Sequence, residues 1–267
     1  MVHVRIAYIN LRGRPDRAER FLTHNAAELD ASAIPWRRVD GIDGSQLASS
    51  TANELVAGGI IAANGLQDGY APHTWGHLGC ASSHRSLWEE AARSAEDEVL
   101  VILEDDAQVC PQFGIRLRHV LKAAEHRGPW DVVHLGFNTD APLTIQLECP
   151  RMDVQLICQE NGLPIGLGAP FAVDWPQKPY EGETLLARVL EFHGLCGYAV
   201  SAPGARRLLE VCLPMSATSI DGTMSRKLRE GELQALIAIP PIVLSDNDHA
   251  DSNTVSSASS RYNEAVR

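Results

Sequence analysis

The sequence predicts an α/β fold in which helices flank a mainly parallel sheet. Short apolar runs alternate with segments whose apolar residues follow a helical spacing, and this alternation is typical of βα units. Residues 99–103 are apolar at every position, as in a strand buried on both faces of a parallel sheet. The chain has 267 residues, 45% of them apolar, which is enough for one large domain or one domain with an elaborated insert.

Strands and helices alternate through the first half of the chain. Pro15 suits the first turn of a helix, whereas Gly58 and Gly59 weaken the helical pattern of residues 46–64. The predicted strands are 4–11, 34–39, 98–103 and 130–136. The predicted helices are 16–29, 76–95 and the segment from Pro111 to about residue 126.

The second half begins with a segment that has no clear period. Residues 138–192 are rich in Pro and Gly, and we interpret them as an irregular insert with short strands around 153–158 and 169–173. The Ser-rich tail, 256–267, is expected to be disordered, so residues 1–255 are predicted to form one domain. The elements predicted after the insert are strands at 194–201 and 233–239 and helices at 203–212 and 219–230.

Composition and charge argue against several classes of protein. The net charge of -11 disfavours nonspecific nucleic-acid binding, which needs a basic face. No Gly-rich phosphate loop occurs, so nicotinamide enzymes and P-loop NTPases fit poorly. The six cysteines have no metal-binding spacing and are expected to be free thiols. No apolar run approaches ~20 residues and no leader pattern precedes the first strand, so we expect no transmembrane segment and a cytoplasmic location.

Three carboxylates, Glu104, Asp105 and Asp106, follow the apolar run directly. Ligands of open α/β sheets bind beyond the carboxyl ends of the strands. Side chains two apart share a face of an extended segment, so Glu104 and Asp106 can converge while Asp105 points away. Such a pair suits Mg²⁺ or Mn²⁺ carrying a phosphorylated substrate. The alternative interpretation is a solvated acidic turn.

Two further blocks carry groups that suit a phosphorylated substrate. Asn10 and Leu11 end the first strand and are followed by clustered arginines that include Arg17, a combination able to hold a base, ribose or phosphate. The alternative for the arginines is a solvated helix face. Ser83 and His84 offer hydrogen bonds to a sugar or phosphate, although a single histidine on a helix is more often structural.

Asp221 and His249 are the remaining candidates for chemistry. Asp221 stands at a predicted helix start, where it acts either as a capping residue or as a general base. His249 lies among carboxylates after the last strand. It either completes a metal site or belongs to a polar loop.

These blocks, in their order along the chain, resemble glycosyltransferase family 25, which includes bacterial lipooligosaccharide galactosyltransferases and animal procollagen galactosyltransferases. The resemblance covers about residues 4–136 and 194–252. The matching residues are Ile9-Asn10-Leu11 with Arg14, Arg17 and Arg20, Val39-Asp40-Gly41-Ile42-Asp43-Gly44, Gly76-His77-Leu78-Gly79-Cys80 with Ser83-His84, Leu103-Glu104-Asp105-Asp106, Trp130-Asp131, and Gly197-Tyr198-Ala199-Val200-Ser201 with Gly204-Ala205-Arg206.

The resemblance implies a Rossmann-like fold of the GT-A type, a UDP-sugar donor that is typically UDP-galactose, and inversion at the anomeric carbon. It also implies Mn²⁺, or Mg²⁺, bound through Asp106, with Glu104 or Asp105 supporting the metal or touching the ribose. The predicted metal ligands are thus Asp106, Glu104 and, from its place among carboxylates alone, His249. The acceptor is then a hydroxyl of a glycan, lipid-linked saccharide, peptide or natural product, as in lipopolysaccharide biosynthesis, and the insert faces it.

The resemblance also assigns roles by position. Asp221 is the candidate base and Asp106 the catalytic metal ligand. His77 and Ser82 depart from residues that the family often carries, and both departures alter the donor pocket. Two other functions fit the same acidic site, a nucleotide-sugar hydrolase and a non-catalytic module that binds a sugar nucleotide. The implied donor-binding residues are Asn10, Leu11, Arg17, Asp40, Ser83, His84, Glu104 and Asp105.

Overall fold

The computed structural model describes seven segments, residues 2–47, 52–60, 75–136, 143–149, 152–158, 185–215 and 219–245. The strands are β1 (His3–Leu11), β2 (Trp36–Gly41), β3 (Glu98–Glu104), β4 (Ala107–Val109), β5 (Val132–His134), β6 (Leu143–Cys149), β7 (Met152–Cys158), β8 (Leu185–Glu191), β9 (Gly197–Ser201), β10 (Ala235–Ile239) and β11 (Val243–Ser245). The helices are α1 (Pro15–Ala31), α2 (Gly44–Leu47), α3 (Ala52–Ala57), α4 (Trp75–Ala92), α5 (Phe113–His126), α6 (Ala202–Cys212) and α7 (Ile220–Arg229).

Nine of the described strands form one sheet in the order β2-β1-β3-β9-β5-β10-β8-β6-β7. In its central part, β2, β1, β3, β5 and β10 run in the same direction, and β9 lies antiparallel between β3 and β5. The strands β8, β6 and β7 extend the sheet by antiparallel pairing. The mainly parallel sheet predicted from the sequence is therefore confirmed for the central part, with β9 as the exception.

Helices cover both faces of this sheet. Leu100 and Ile102 of β3 pack into the core beneath α4, α6 and α7, whereas Val99, Val101 and Leu103 pack into the core beneath α1 and α5. All five side chains are at most 4% exposed. The apolar run of β3 is continuous because successive side chains of a strand point to opposite faces and both faces are covered here.

Short polar residues begin the two helices of the second half. The Ser201 hydroxyl accepts the N–H of Gly204 at the start of α6, and the Ser219 hydroxyl accepts the N–H of Gly222 at the start of α7. Each hydroxyl satisfies a backbone donor that the first helical turn leaves without a carbonyl partner. The helices predicted at 203–212 and 219–230 therefore begin within a residue of the expected position.

The interpretation of residues 138–192 as an irregular insert is only partly correct. The strand predicted around 153–158 is confirmed by β7, but β6 and β8 also lie within these residues, and all three strands join the sheet. The missed signal is the alternation of apolar and polar residues in the sequence of β6. Of residues 46–64, where Gly58 and Gly59 weaken the helical pattern, the described part contains the end of α2 and all of α3, and Gly59, with φ +67°, follows α3. The strand predicted at 169–173 and the tail at 256–267 lie outside the described residues.

Among the described helices, none combines the length and the apolar character needed to cross a bilayer.

Candidate active site

A cavity of about 350 Å³ opens at the carboxyl ends of β1 and β3, which are neighbouring parallel strands. The loop after β2 and the first turns of α4 form the other walls. This is the edge at which open α/β sheets bind ligands. The lining residues are Ile9, Asn10, Leu11, Gly13, Arg14, Arg17, Ile42, Asp43, Gly44, Ser45, Trp75, Gly76, Cys80, Ser83, His84, Glu104, Asp105 and Asp106.

Asp105 is held by protein groups on both of its oxygens. Arg17 Nη2 lies 2.5 Å from Oδ1, and Asn10 Nδ2 donates a hydrogen bond of 2.7 Å to Oδ2. The Arg17 and Asp105 side chains are each only 11% exposed. Burial raises the pKa of Asp105, while the Arg17 charge and the Asn10 hydrogen bond act against that rise. Asp105 is thus part of the framework beneath the cavity.

Asp106 keeps one oxygen without a hydrogen-bond partner. Its Oδ2 accepts a hydrogen bond of 3.3 Å from the Ser245 hydroxyl and lies 3.9 Å from Arg17. Its Oδ1 is buried and has no hydrogen-bond partner in the part of the chain that the structure describes. Burial and then the charge of Glu104 raise the pKa of Asp106 to about 7. A cation bound at Oδ1 would stabilise the ionised form of this buried carboxylate.

Glu104 lies beside a histidine and a cysteine. Its Oε1 is 3.0 Å from His84 Nε2 and 4.0 Å from Cys80 Sγ. The ligand atoms of Cys80, His84 and Glu104 all lie within 4.8 Å of one another. Sequence reasoning paired Glu104 with Asp106 and gave Cys80 no role.

The carboxylates of Glu104 and Asp106 fit a divalent cation. Mn²⁺ and Mg²⁺ prefer oxygen ligands and keep positions open for substrate phosphates. Glu104 is close enough to raise the pKa of Asp106, and the unpartnered Oδ1 of Asp106 offers a ligand atom. The predicted third ligand, His249, lies outside the described residues.

The loop after β2 touches α4 through backbone atoms. A Cβ on Gly44 would lie 1.6 Å from the carbonyl oxygen of Trp75, and a Cβ on Gly79 would lie 2.5 Å from that of Ile42. Only glycine allows backbones to approach so closely. The Ser83 hydroxyl closes the contact, since it accepts the N–H of Ile42 at 2.8 Å and donates to the carbonyl of Gly79 at 2.7 Å. Ser83 therefore shapes the cavity wall.

Most of the predicted donor-binding residues meet at this cavity. Asp40 does not line it. The Asp40 carboxylate is exposed and lies 2.7 Å from Arg12, whose hydrogen bond lowers the Asp40 pKa. The predicted residues that do line the cavity are Asn10, Leu11, Arg17, Ser83, His84, Glu104, Asp105 and Asp106.

Asp221 stands at the start of α7 and is not among the lining residues. Its Oδ2 accepts the N–H of Gly194 at 2.9 Å, whereas the capping residue of α7 is Ser219. Burial acts to raise the pKa of Asp221, but hydrogen bonds from Ser219 and backbone N–H groups outweigh burial and lower it. The Asp221 charge, after burial and Glu104, raises the pKa of Cys80. Asp221 is therefore near the cavity and also anchors the backbone before β9.

The sequence analysis gave no role to Trp75 or to Tyr198, although Tyr198 stands in one of the matching blocks. Trp75 lines the cavity, and its position directly before Gly76 of the matching block is the signal that could have identified it. Tyr198 is fully buried, and its hydroxyl lies 2.8 Å from His84 Nδ1. The Tyr198 hydroxyl within the apolar part of β9 was a usable signal, since buried hydroxyls need partners.

Comparison with known proteins relates the chain to a family of transferases. A family model described as Glycosyltransferase family 25 (LPS biosynthesis protein) matches residues 4–224. The probable inactive glycosyltransferase 25 family member 3 of Bos taurus is 38% identical over 131 residues, which are 48% of this chain and 21% of that protein.

Two procollagen galactosyltransferases match over more of the chain. Procollagen galactosyltransferase 1-B of Xenopus laevis is 30% identical over 204 residues, 75% of this chain and 27% of that protein. Procollagen galactosyltransferase 2 of Mus musculus is 32% identical over 207 residues, 76% of this chain and 27% of that protein. The chain thus spans about a quarter of the length of these curated relatives.

Proposed function

The chain belongs to glycosyltransferase family 25, and on that basis we propose that it transfers a sugar from a UDP-sugar donor to an acceptor hydroxyl with the help of Mn²⁺ or Mg²⁺. Galactose is the proposed sugar, because two relatives are named procollagen galactosyltransferases. The observation that carries the proposal is the pair of carboxylates, Glu104 and Asp106, at the cavity with the Asp106 Oδ1 unpartnered.

Glu104 and Asp106 are the residues that would hold the cation. When bound, the cation neutralises the charge of the leaving diphosphate. Asp105 is kept apart from this pair, because Arg17 and Asn10 occupy its oxygens.

Asn10 and the apolar lining are proposed to hold the donor. The Oδ1 of Asn10 is buried without a hydrogen-bond partner among the described residues, so it is available to accept from a ribose hydroxyl or a base N–H. Ile9, Leu11 and Trp75 surround the cavity with apolar surface. Such a surface excludes water, which would otherwise hydrolyse the donor.

Asp221 is the proposed general base. It would take the proton of the acceptor hydroxyl as the new bond from oxygen to the anomeric carbon forms and the bond to the diphosphate breaks. Its lowered pKa keeps it ionised at neutral pH, and its effect on the Cys80 pKa supports a position close to the cavity.

The proposed acceptor is a hydroxyl of a saccharide or of a peptide. The family description, LPS biosynthesis protein, supports the saccharide, and the names of the procollagen relatives support the peptide. A cytoplasmic location remains part of the proposal and is supported by Cys80, Cys110, Cys196 and Cys212, which are free thiols of the kind common in a reducing compartment.

Product analysis tests this function directly. The protein is incubated with UDP-galactose and Mn²⁺, with and without saccharide and peptide acceptors, and the products are identified by mass spectrometry and NMR. A glycosylated acceptor of inverted anomeric configuration supports a transferase, and free galactose formed regardless of acceptor indicates a nucleotide-sugar hydrolase. Asp106→Asn is the control for background hydrolysis.

A non-catalytic module that binds a sugar nucleotide is the second candidate. It is favoured by the name of the Bos taurus relative, a probable inactive family member that aligns with 48% of this chain. In the same experiment this candidate gives no product with any acceptor, although UDP-galactose binds.

A further inference from the structure

A buried chain of hydrogen bonds connects the hydrophobic core with Glu104. Trp88 Nε1 donates to the Tyr198 hydroxyl at 2.7 Å, and that hydroxyl lies 2.8 Å from His84 Nδ1. His84 Nε2 lies 3.0 Å from Glu104 Oε1. His84, Trp88 and Tyr198 are at most 1% exposed, so no bulk water competes with the contacts among these three side chains.

The donors and acceptors along this chain of hydrogen bonds can be assigned in only one direction. An indole N–H is only a donor, so the Tyr198 oxygen accepts from Trp88. Burial raises the pKa of Tyr198 well above its usual range, so the phenol keeps its proton. Among the described residues, the second partner of this hydroxyl is His84 Nδ1, and a phenol proton aimed elsewhere would be buried without an acceptor. Tyr198 therefore donates to Nδ1.

The tautomer of His84 follows from this direction. Because Nδ1 accepts, the proton of the neutral imidazole sits on Nε2 and is donated to Glu104 Oε1. The Oε2 of Glu104 has no hydrogen bond to any described residue, and the side chain is 28% exposed at the cavity. The Oε1 of Glu104 is thus held by His84 on the core side, and Oε2 remains available to a cation in the cavity.

We infer that Tyr198, acting through His84, is a positioning residue that holds the Glu104 carboxylate ready for the cation. This inference rests on the proposed function, in which Glu104 is a cation ligand. It also excludes His84 itself from the ligand set, although Cys80, His84 and Glu104 are clustered. Both nitrogens of His84 are in use, Nδ1 as an acceptor from Tyr198 and Nε2 as a donor to Glu104.

The test compares two variants on the same strand. Tyr198→Phe keeps the ring and removes the hydroxyl. Val200→Ala, two residues along β9 and in the same core, serves as the control, because it loses packing in that core without touching the chain of hydrogen bonds. Thermal unfolding of both variants shows whether each is folded. The readout is the dissociation constant for Mn²⁺ alone, measured from the electron paramagnetic resonance signal of the free ion.

The expected result is about a 10-fold weaker Mn²⁺ affinity in Tyr198→Phe, as for other residues that orient a metal ligand, and no change in Val200→Ala. Nitrogen-15 NMR of labelled histidine is expected to show His84 of the native protein as the neutral Nε2–H tautomer. An unchanged Mn²⁺ affinity in folded Tyr198→Phe, or an Nδ1–H tautomer, would overturn the positioning role alone. A native protein that binds no Mn²⁺ while His84 has the Nε2–H tautomer would refute the metal-dependent function together with that role.

Discussion

Arg17 and Asp105 form a nearly buried ion pair, with 2.5 Å between Nη2 and Oδ1 and only 11% of either side chain exposed. Three adjacent acids lie at the end of β3 and in the turn that follows it. Asp105 is the one of these acids that forms this close ion pair. All three carboxylates line the cavity, but Arg17 and Asn10 occupy the oxygens of Asp105, whereas the Oδ1 of Asp106 has no hydrogen-bond partner among the described residues. Arg17 of α1 therefore distinguishes Asp105 from its two neighbours, Glu104 and Asp106.

Arg17→Ala is expected to destabilise the fold strongly. Removing one partner leaves the Asp105 carboxylate buried without its cation, which typically costs about 3–5 kcal/mol. Urea unfolding measures the change in the free energy of unfolding. Asp105→Asn added to Arg17→Ala is expected to recover part of the loss. Arg12→Ala breaks the exposed pair with Asp40 and serves as the control, with no measurable change expected. Equal effects of Arg17→Ala and Arg12→Ala would contradict the importance of the buried pair.

Gly79→Ala is expected to destabilise the protein and weaken donor binding. Alanine gains about 1 kcal/mol in helix propensity, but its Cβ would lie 2.5 Å from the Ile42 carbonyl oxygen and 2.6 Å from the Gly44 nitrogen. These are backbone atoms, so the loop must move, and overpacking of this kind costs about 1–3 kcal/mol.

Urea unfolding and donor titration check the Gly79→Ala variant. The stability control is Gly13→Ala, because a Cβ on Gly13 meets no atom within 4 Å. If Gly79→Ala is as stable as the native protein and binds donor equally well, the close contact between the loop after β2 and α4 is needed neither for stability nor for donor binding.

His134 is expected to make the protein less stable in mild acid. Burial lowers the pKa of His134 to about 3 from its ordinary 6.5, and neither ring nitrogen has a hydrogen-bond partner among the described residues. Between pH 6.5 and pH 3 the unfolded chain binds a proton at this residue and the folded chain does not. The contribution of neutral His134 to the free energy of unfolding is therefore fully present above pH 6.5. Below that pH it decreases by up to about 1.4 kcal/mol for each pH unit.

His134→Phe isolates this effect, since a phenyl ring suits the contact with Phe192, 4.0 Å away between ring centroids. The free energy of unfolding of both proteins is measured in urea at pH 7, 6 and 5. The native protein is expected to lose more stability than the variant as the pH falls. Parallel pH curves for the two proteins would contradict the buried neutral state of His134.

Much of the central sheet could be predicted because local patterns encode it. The apolar run of β3 and the acids after it identified both the buried strand and the edge of the sheet at which the cavity lies. The order of strands is a different matter. The insertion of β9 antiparallel between β3 and β5 depends on tertiary pairing, and nothing in residues 197–201 indicates which neighbours they take.

The site shows the same limit. Spacing predicts that Glu104 and Asp106 share a face, whereas the contact of His84 with Tyr198 joins residues 114 positions apart in the chain. The hydrogen bond from Gly194 to Asp221 joins residues 27 positions apart and likewise follows from packing. The sequence therefore predicts residues most of which line the cavity, whereas their hydrogen-bond partners follow from the fold.

Asp221→Asn tests the proposed base. Asparagine keeps an oxygen that can accept the Gly194 N–H, so the backbone before β9 is expected to stay in place. Loss of a general base typically lowers kcat by about 100- to 10,000-fold. Donor affinity is expected to remain unchanged, because Asp221 does not line the cavity. Steady-state kinetics and donor titration separate the two effects, and a kcat equal to that of the native protein would remove Asp221 from the mechanism.

The most direct test of metal-dependent donor binding is thermal unfolding with a panel of nucleotide sugars, each with and without Mn²⁺. A UDP-sugar is expected to stabilise the protein only when Mn²⁺ is present, by about 2.7 kcal/mol at a ligand concentration 100 times Kd, and Asp106→Asn is expected to lose this effect. Stabilisation that is independent of Mn²⁺, or that persists in Asp106→Asn, would contradict the role assigned to the carboxylate pair. The absence of stabilisation by every nucleotide sugar would contradict the donor site itself.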